Sequence, residues 1–280
     1  LARELDLEQV KEISETIAHE GIRGPSGEPF RVEMFIHGAL CMAISGKCYL
    51  SLHEHNHSAN RGDCFQVCRR GYTVTDKDRE VELDIDNEYI MSPKDLCTID
   101  ILDQVADAGI KVLKIEGRGR APEYVAKVIR CYRDAIDSIT AGTYDREKVI
   151  GWMLELEKVY NRGFWNGYYL GQKLGEWSNG SGSHATQKKV YIGKGVHYFP
   201  KAGIGEFKLE AFDLRVGDSI LITGPTTGAK ELEIKDMYVN DEKGDSASRG
   251  DSITLPLDFR IRPSDKLYKI VPAEKPVEGV

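Results

Sequence analysis

The apolar residues change period along the chain, and each change marks an element. Leu7, Val10, Ile13 and Ile17 recur at three- and four-residue steps, the period of one face of a helix. Asp6 stands before them as an N-cap with Gln9 three residues on, and Gly21 is a natural stop, so a helix is expected between them. "PFRVEMFIHG" then predicts a short strand from Phe30 to Ile36. From His37 to Tyr72 the period disappears among Gly, Asn and Ser, and this stretch is expected to be largely irregular. Glu80 to Ser92 alternates and reads as an edge strand or hairpin. In "SPKDLCTIDILDQVADAG", Ser92 is read as N-cap, Pro93 as first helical residue, Asp95 as capping-box partner and Gly109 as the end. "IKVLKIEGRGR" predicts a strand running into a glycine turn, followed by helices over "APEYVAKVIRCYRDAIDSIT" and "DREKVIGWMLELEKVY".

Strand and helix alternating in this way predict a parallel α/β sheet or barrel. The elements supply about half of an eightfold barrel, so the chain reads as part of a longer protein, truncated at its N-terminus. "GEWSNGSGSHATQ" is nearly free of apolar residues and reads as a linker. Beyond it, short alternating segments such as "KKVYIGKGVHYFP", "IGEFKLE", "DSILITG" and "DKLYKIV" predict a small all-β barrel. The expected layout is residues 1–174 as the barrel-like α/β part, 175–187 as linker and 188–280 as the β domain.

Composition narrows the function classes. The 280 residues are enough for two cores, with 41% hydrophobic and 30% charged residues. No apolar run reaches membrane-spanning length, and the charged start "LARELDLEQV", without an initiator Met, is no signal peptide. Net charge is −7, while residues 188–280 carry 15 basic and 15 acidic side chains, so the excess negative charge lies earlier. Any nucleic acid must therefore bind through local basic patches. Six cysteines are too few for a disulfide scaffold. With no secretory signal the expected compartment is the reducing cytoplasm, where clustered cysteines act as ligands or catalysts.

Four of the six cysteines fall between His37 and Tyr72. Cys41 and Cys48 are separated by six residues, Cys48 and Cys64 by fifteen, and Cys64 and Cys68 by three. Structural zinc favours close pairs, and Cys64 with Cys68 is the one such pair; His53, His55 and His57 could add nitrogen ligands. A catalytic thiolate with a histidine base would use one cysteine and leave three unexplained. An iron–sulfur cluster takes thiolates from irregular loops, with glycines such as Gly38, Gly46 and Gly62 letting amides approach sulfur. Cys131, among Val128, Ile129 and Ile136, reads as a small apolar core residue.

Four segments in order carry a resemblance: "VEMFIHGALCMAISGKC", "ANRGDCFQVCR", "SPKDLC" and "VLKIEGR". They resemble the signature segments of peptidase family 32 of the U class, and "GKGVHYFPKAGIGEFKLE…LRVGDSILITGPTTG" is similar to the C-terminal domain many members carry. The resemblance implies a barrel-like α/β domain followed by a β-barrel like the second domain of elongation factors. It also implies one of two activities: collagenase-like peptidase, or oxygen-independent hydroxylation with a four-iron four-sulfur cluster. The branch with this C-terminal domain resembles prephenate-dependent hydroxylases of the tRNA wobble uridine. Carried over by motif, the ligands are Cys41, Cys48, Cys64 and, from "KDLC", Cys97, with Cys68 of "CxxxCR" as the alternative fourth. The implied partners are tRNA and a prephenate-related small molecule, with no membrane; oligomeric state is left open.

Other residues are singled out around this frame. Glu33 and His37 bracket the strand before Cys41, and Lys114, Glu116 and Arg118 end a strand at a glycine turn, an active-site position in barrels. These five are the catalytic candidates. Arg118 could hold a carboxylate through paired hydrogen bonds and Glu116 could order it or carry a proton. Arg61, Arg69 and Arg70 are candidates for RNA phosphate, joined by Lys194 and Lys201 in the β domain. "YNRGFWNGYYLG" is read as an aromatic seam between the domains or a base-stacking surface. Three functions follow. The first is cluster-dependent tRNA hydroxylation. The second is a peptidase, although GxSxG does not occur; the histidine-rich loop from His53 to His57 leaves a metal-dependent version open. The third is a non-catalytic zinc-containing RNA-binding module.

Overall fold

The computed structural model describes residues 1–43, 47–73, 91–180 and 182–273. The strand expected from Glu80 lies outside the described residues, apart from its last positions. Contacts divide the chain into two units. Among the described residues, the first comprises Leu1–Gly119 and Val128–His184; the second takes Arg120–Lys127 and 185–273.

In the first unit, helix α1 (Leu7–His19) starts as its cap signal dictates. The Asp6 carboxylate accepts from the Gln9 N–H at 2.8 Å and the Gln9 side chain accepts from the Asp6 N–H at 3.1 Å. Strand β1 (Glu33–Gly38) begins a few residues later than expected, because the chain turns back on itself through an Arg23–Pro29 bridge. The cysteine stretch holds a six-residue helix, α2 (Leu50–His55), and two single 3₁₀ turns, and is otherwise irregular. Next come β2 (Asp95–Cys97), α3 (Leu102–Asp107) and β3 (Val112–Glu116). They are followed by α4 (Pro122–Thr140), with proline in its first position, α5 (Arg146–Glu157), capped by Asp145, and β4 (Phe164–Trp165).

Two expectations are corrected here. The helix expected from Ser92 is instead strand β2 followed by a short α3. Asp95, Leu96 and Cys97 are all buried; the Asp95 N–H binds Gly163 O at 2.9 Å and Thr98 N–H binds Ile36 O. Pairing on both sides outweighs the local cap signal, which would have left Asp95 on an exposed first turn. The sheet is also mixed rather than all parallel. Its order is β3-β1-β2-β4; β1 runs parallel to β3 and β2 to β4, but β1 and β2 are antiparallel through His37–Cys97 and Gly38–Leu96. Met34, Ile36, Leu96, Ile99, Leu102, Val105, Val128 and Leu156 form its core.

Gly38 shows why β1 and β3 can meet closely. Its φ is +112°, and a Cβ there would lie 2.4 Å from the Glu116 carbonyl oxygen.

The second unit is built on β5 (Gln187–Phe199), β6 (Ile204–Leu209), β8 (Ser219–Gly224), β9 (Gly228–Glu233), β10 (Tyr238–Val239), β11 (Glu242–Lys243), β13 (Ser252–Pro256) and β14 (Lys266–Pro272). They form one antiparallel sheet in the order β11-β10-β13-β6-β5-β14-β8-β9. A separate ladder joins β7 (Leu214–Arg215) to β12 (Ser246–Ala247). Ile192, Phe207, Leu209, Ile220, Ile222, Ile253, Leu255 and Leu267 are buried on it, matching the alternation in the sequence. Among the described residues no strand pairing closes this sheet into the expected barrel; β9 and β11 remain its edges. No helix among the described residues is long and apolar enough to cross a membrane.

Candidate thiol site

The cysteine segment folds back so that Cys68 shares a neighbourhood with three other thiols. Burial pushes the Cys68 thiol up, the adjacent Arg69 guanidinium pulls it down, and Cys41, Cys64 and Cys48 each push it up again by like charge. Cys41 and Cys64 are exposed, while Cys48 and Cys68 are half-buried. The segment is held from within: Phe65 N–H donates to Ser51 Oγ at 3.0 Å and Tyr72 OH donates to Val67 O at 2.8 Å. Among the described residues no three His, Cys, Asp or Glu side chains already stand in ligating geometry around one point. By donor chemistry and shared location, four thiols suit an iron–sulfur cluster or a four-thiolate zinc site.

Cys97 stands apart from this group. It is buried in β2, with its Sγ 3.8 Å from Met153 Sδ and 3.7 Å from the Tyr132 hydroxyl. Burial pushes its thiol up to about 12, against smaller lowering from the Ile99 backbone and Tyr132. Cys131 is buried in α4, as expected for a core residue.

Arg69 is turned inward. Its guanidinium donates to Leu40 O at 2.5 Å, Pro93 O at 2.7 Å and Ser92 Oγ at 3.4 Å. One side chain thus joins the end of β1, the Cys64–Cys68 stretch and the entry to β2. Burial and the nearby Arg162 lower its pKa, while Cys68, Asp95 and Cys41 raise it. Arg162 is 4% exposed; it donates to Asp95 Oδ1 at 3.3 Å and to Gln66 Oε1 at 2.7 Å. Arg70 instead pairs with Glu54 at 2.5 Å on the surface, and Arg61 is exposed.

The five catalytic candidates are separated. Glu33 and Lys114 pair with each other at 2.8 Å, both about half exposed, with Glu33 opening β1. His37 is 1% exposed, its Nδ1 3.3 Å from the Tyr132 hydroxyl and its ring against Tyr132 and Phe164. Glu116 and Arg118 lie by the cysteine segment. The Glu116 carboxylate accepts from the Arg118 N–H at 3.1 Å, and Arg118 Nη1 lies 3.7 Å from where a Gly62 Cβ would stand. In the histidine run, His55 and His57 pack on the ring of Phe65, the residue after Cys64, with centroids 4.9 and 5.2 Å away. In the second unit, Lys194 pairs with Glu210 at 2.7 Å, and Lys201 is exposed in the turn after β5.

The aromatic run is bonded into the first unit. Trp165 Nε1 donates to Lys94 O, Tyr169 OH to Phe35 O, and the Asn166 amide to Cys97 O, all within the first unit. These contacts seam the edge of that unit's own sheet. The supposed linker is also tied down at its start, where Ser178 N–H binds Ser92 O and Trp177 bridges Pro93. The buried pair Asp95–Arg162 and the hub Tyr132 went unread in the sequence. Their signal was a charge flanked by residues fit for burial, in "KDLC" and "NRGFW". A cavity of about 760 Å³ between α1, residues 21–32 and Gly109–Lys111 involves none of the site candidates.

A mixed α/β unit carrying four gathered thiols, followed by an antiparallel β unit, is the architecture on which the comparisons bear. The model of peptidase family U32 matches residues 1–179, and the chain belongs to that family. A Porphyromonas gingivalis protein named collagenase is 56% identical, aligned over 96% of this chain and 65% of its own length. A tRNA hydroxylation protein of Bacillus subtilis is 31% identical over 96% of this chain and 62% of its own. The Escherichia coli 23S rRNA 5-hydroxycytidine synthase is 35% identical over 63% of this chain and 26% of its own. This chain therefore spans less than two thirds of the length of each.

Proposed function

We propose that the chain is the thiol-bearing part of an enzyme that hydroxylates a tRNA base, the wobble uridine being the intended target, without molecular oxygen. The observation that carries this reading is the gathering of Cys41, Cys48 and Cys64 around Cys68. Relatives named for tRNA and rRNA hydroxylation support it. In this reading those four thiolates hold a four-iron four-sulfur cluster, and Cys97 packs in the core. The cluster, when bound, supplies one-electron redox chemistry.

The remaining roles belong to the chain's own side chains. Arg118, beside Gly62 and braced through its backbone by Glu116, is placed to hold a carboxylate of a prephenate-like ligand next to the thiols. Arg61 is exposed on the same segment and is the proposed contact for RNA phosphate, with Lys201 of the β unit as a second. His37 and the Glu33–Lys114 pair serve the sheet rather than the reaction. A tRNA substrate would place the protein in the cytoplasm.

The test is anaerobic iron, sulfide and zinc analysis of the full-length protein, with an absorption spectrum, for wild type, C68S and C97S. About four irons and four sulfides per chain are expected in wild type and C97S, with marked loss in C68S. Loss in C97S with retention in C68S would move the fourth ligand to Cys97. Stoichiometric zinc without sulfide would end the redox reading in favour of the zinc-containing module. Mass spectrometry of tRNA from cells with and without the gene then identifies the base. The name of the 56% identical relative supports a second reading as a collagenase-like peptidase. Collagen cleavage by the pure protein, unaffected by C68S, would favour it.

A further inference from the structure

Resting on the reading above, we infer that Arg69 is the positioning residue and half-buried counter-charge of the thiol site. One guanidinium fixes the backbone on two sides of the site and brings positive charge to it. The three acceptors it binds, Leu40 O, Pro93 O and Ser92 Oγ, are all neutral. Its neighbour Arg162 is paired with Asp95, which is the fully buried carboxylate of the first unit's described residues. Cys68 is next to Arg69 in sequence, and Cys41 is next to Leu40, whose carbonyl accepts from the guanidinium, so two of the four proposed ligands flank it. Four thiolates outweigh the positive charge of a four-iron four-sulfur core, so the occupied site is net negative and completes the balance.

The geometry and the charge make separable predictions. A fixed positive charge beside a redox centre favours its reduced, more negative form, so removing it lowers the potential. The planar fork of arginine spans acceptors that a lysine ammonium cannot reach together. The experiment uses full-length protein loaded with iron and sulfide under anaerobic conditions, as wild type, R69M and R69K. The readouts are the midpoint potential, the half-time of iron loss to a chelator, and far-UV circular dichroism of the unloaded protein. In R69M the reduced-to-oxidised ratio at a fixed potential is expected to fall about tenfold, a shift of roughly 59 mV for one electron, with faster iron loss. R69K is expected to stay within about twofold of wild type in that ratio, yet lose iron at least about fivefold faster. An R69M that is folded, holds iron as wild type does and keeps its potential overturns the inference alone. If R69M does not fold, R69K decides: iron loss at the wild-type rate overturns the inference. Wild-type protein that takes up no iron and sulfide overturns the underlying reading, and the inference with it.

Discussion

Replacing Arg162 with methionine leaves the Asp95 carboxylate buried without its guanidinium. The two side chains are 5% and 1% exposed, with 3.3 Å between Nη1 and Oδ1. Removing one partner of so buried a pair costs about 3–5 kcal/mol, because the remaining charge has lost its solvation and its counter-ion. For a unit of about 150–250 residues each kcal/mol moves the midpoint by roughly 2–4 °C, so the expected fall is roughly 6–20 °C. Tryptophan emission isolates the effect, since all three tryptophans, Trp152, Trp165 and Trp177, lie in the first unit. Trp165 is next to Leu96 in the strand pairing, one residue from Asp95. The double change D95L/R162M is expected to recover most of the loss, because apolar side chains can fill the volume of a buried pair at little net cost. Urea unfolding followed at these tryptophans measures both variants. A loss below about 1 kcal/mol in R162M, or a double variant no better than the single one, would refute the reasoning. R162M also takes a 2.7 Å donor from Gln66, between Cys64 and Cys68, so the segment should become more open to protease.

Two further outcomes are expected. Gly38→Ala places a Cβ 2.4 Å from the Glu116 oxygen at a φ of +112°, and should cost at least about 2 kcal/mol in urea unfolding; an unchanged midpoint would mean β1 and β3 are not paired this way. At pH 8 iodoacetamide should label Cys41 and Cys64 of the unloaded protein and spare Cys97 until it is denatured. The folded Cys97 thiol titrates at about 12 against an ordinary 9.0. Its neutral form therefore stabilises the fold fully below about pH 9, and that contribution is lost as pH rises toward 12. Cys97→Ala should remove that part of the alkaline slope, and equal labelling of Cys97 and Cys41 would contradict its placement.

Much of the local structure was legible in the chain. Asp6 with Gln9, Pro122 opening α4, and Asp145 capping α5 are short-range signals that no tertiary contact overrode. The alternation after residue 187 predicted the β unit because a sheet with one buried face requires period two. The crowding of cysteines marked the site, and the family followed from motif order.

What the sequence could not decide depended on partners far along the chain. Asp95 carries a good helix-cap signal, yet Arg162, 67 residues away, and Gly163 draw it into a buried strand. Arg69 looks like one of three surface arginines until Leu40 and Pro93 present their carbonyls to it. Five cysteines were candidates for the four ligand places that the resemblance implies, and spacing alone could not rank them. Tertiary packing separates them by enclosing Cys97 between Tyr132 and Met153 while bringing Cys68 to the other three. Short-range hydrogen bonding and periodicity fix elements; which polar group is buried, and beside what, is settled only when distant segments meet.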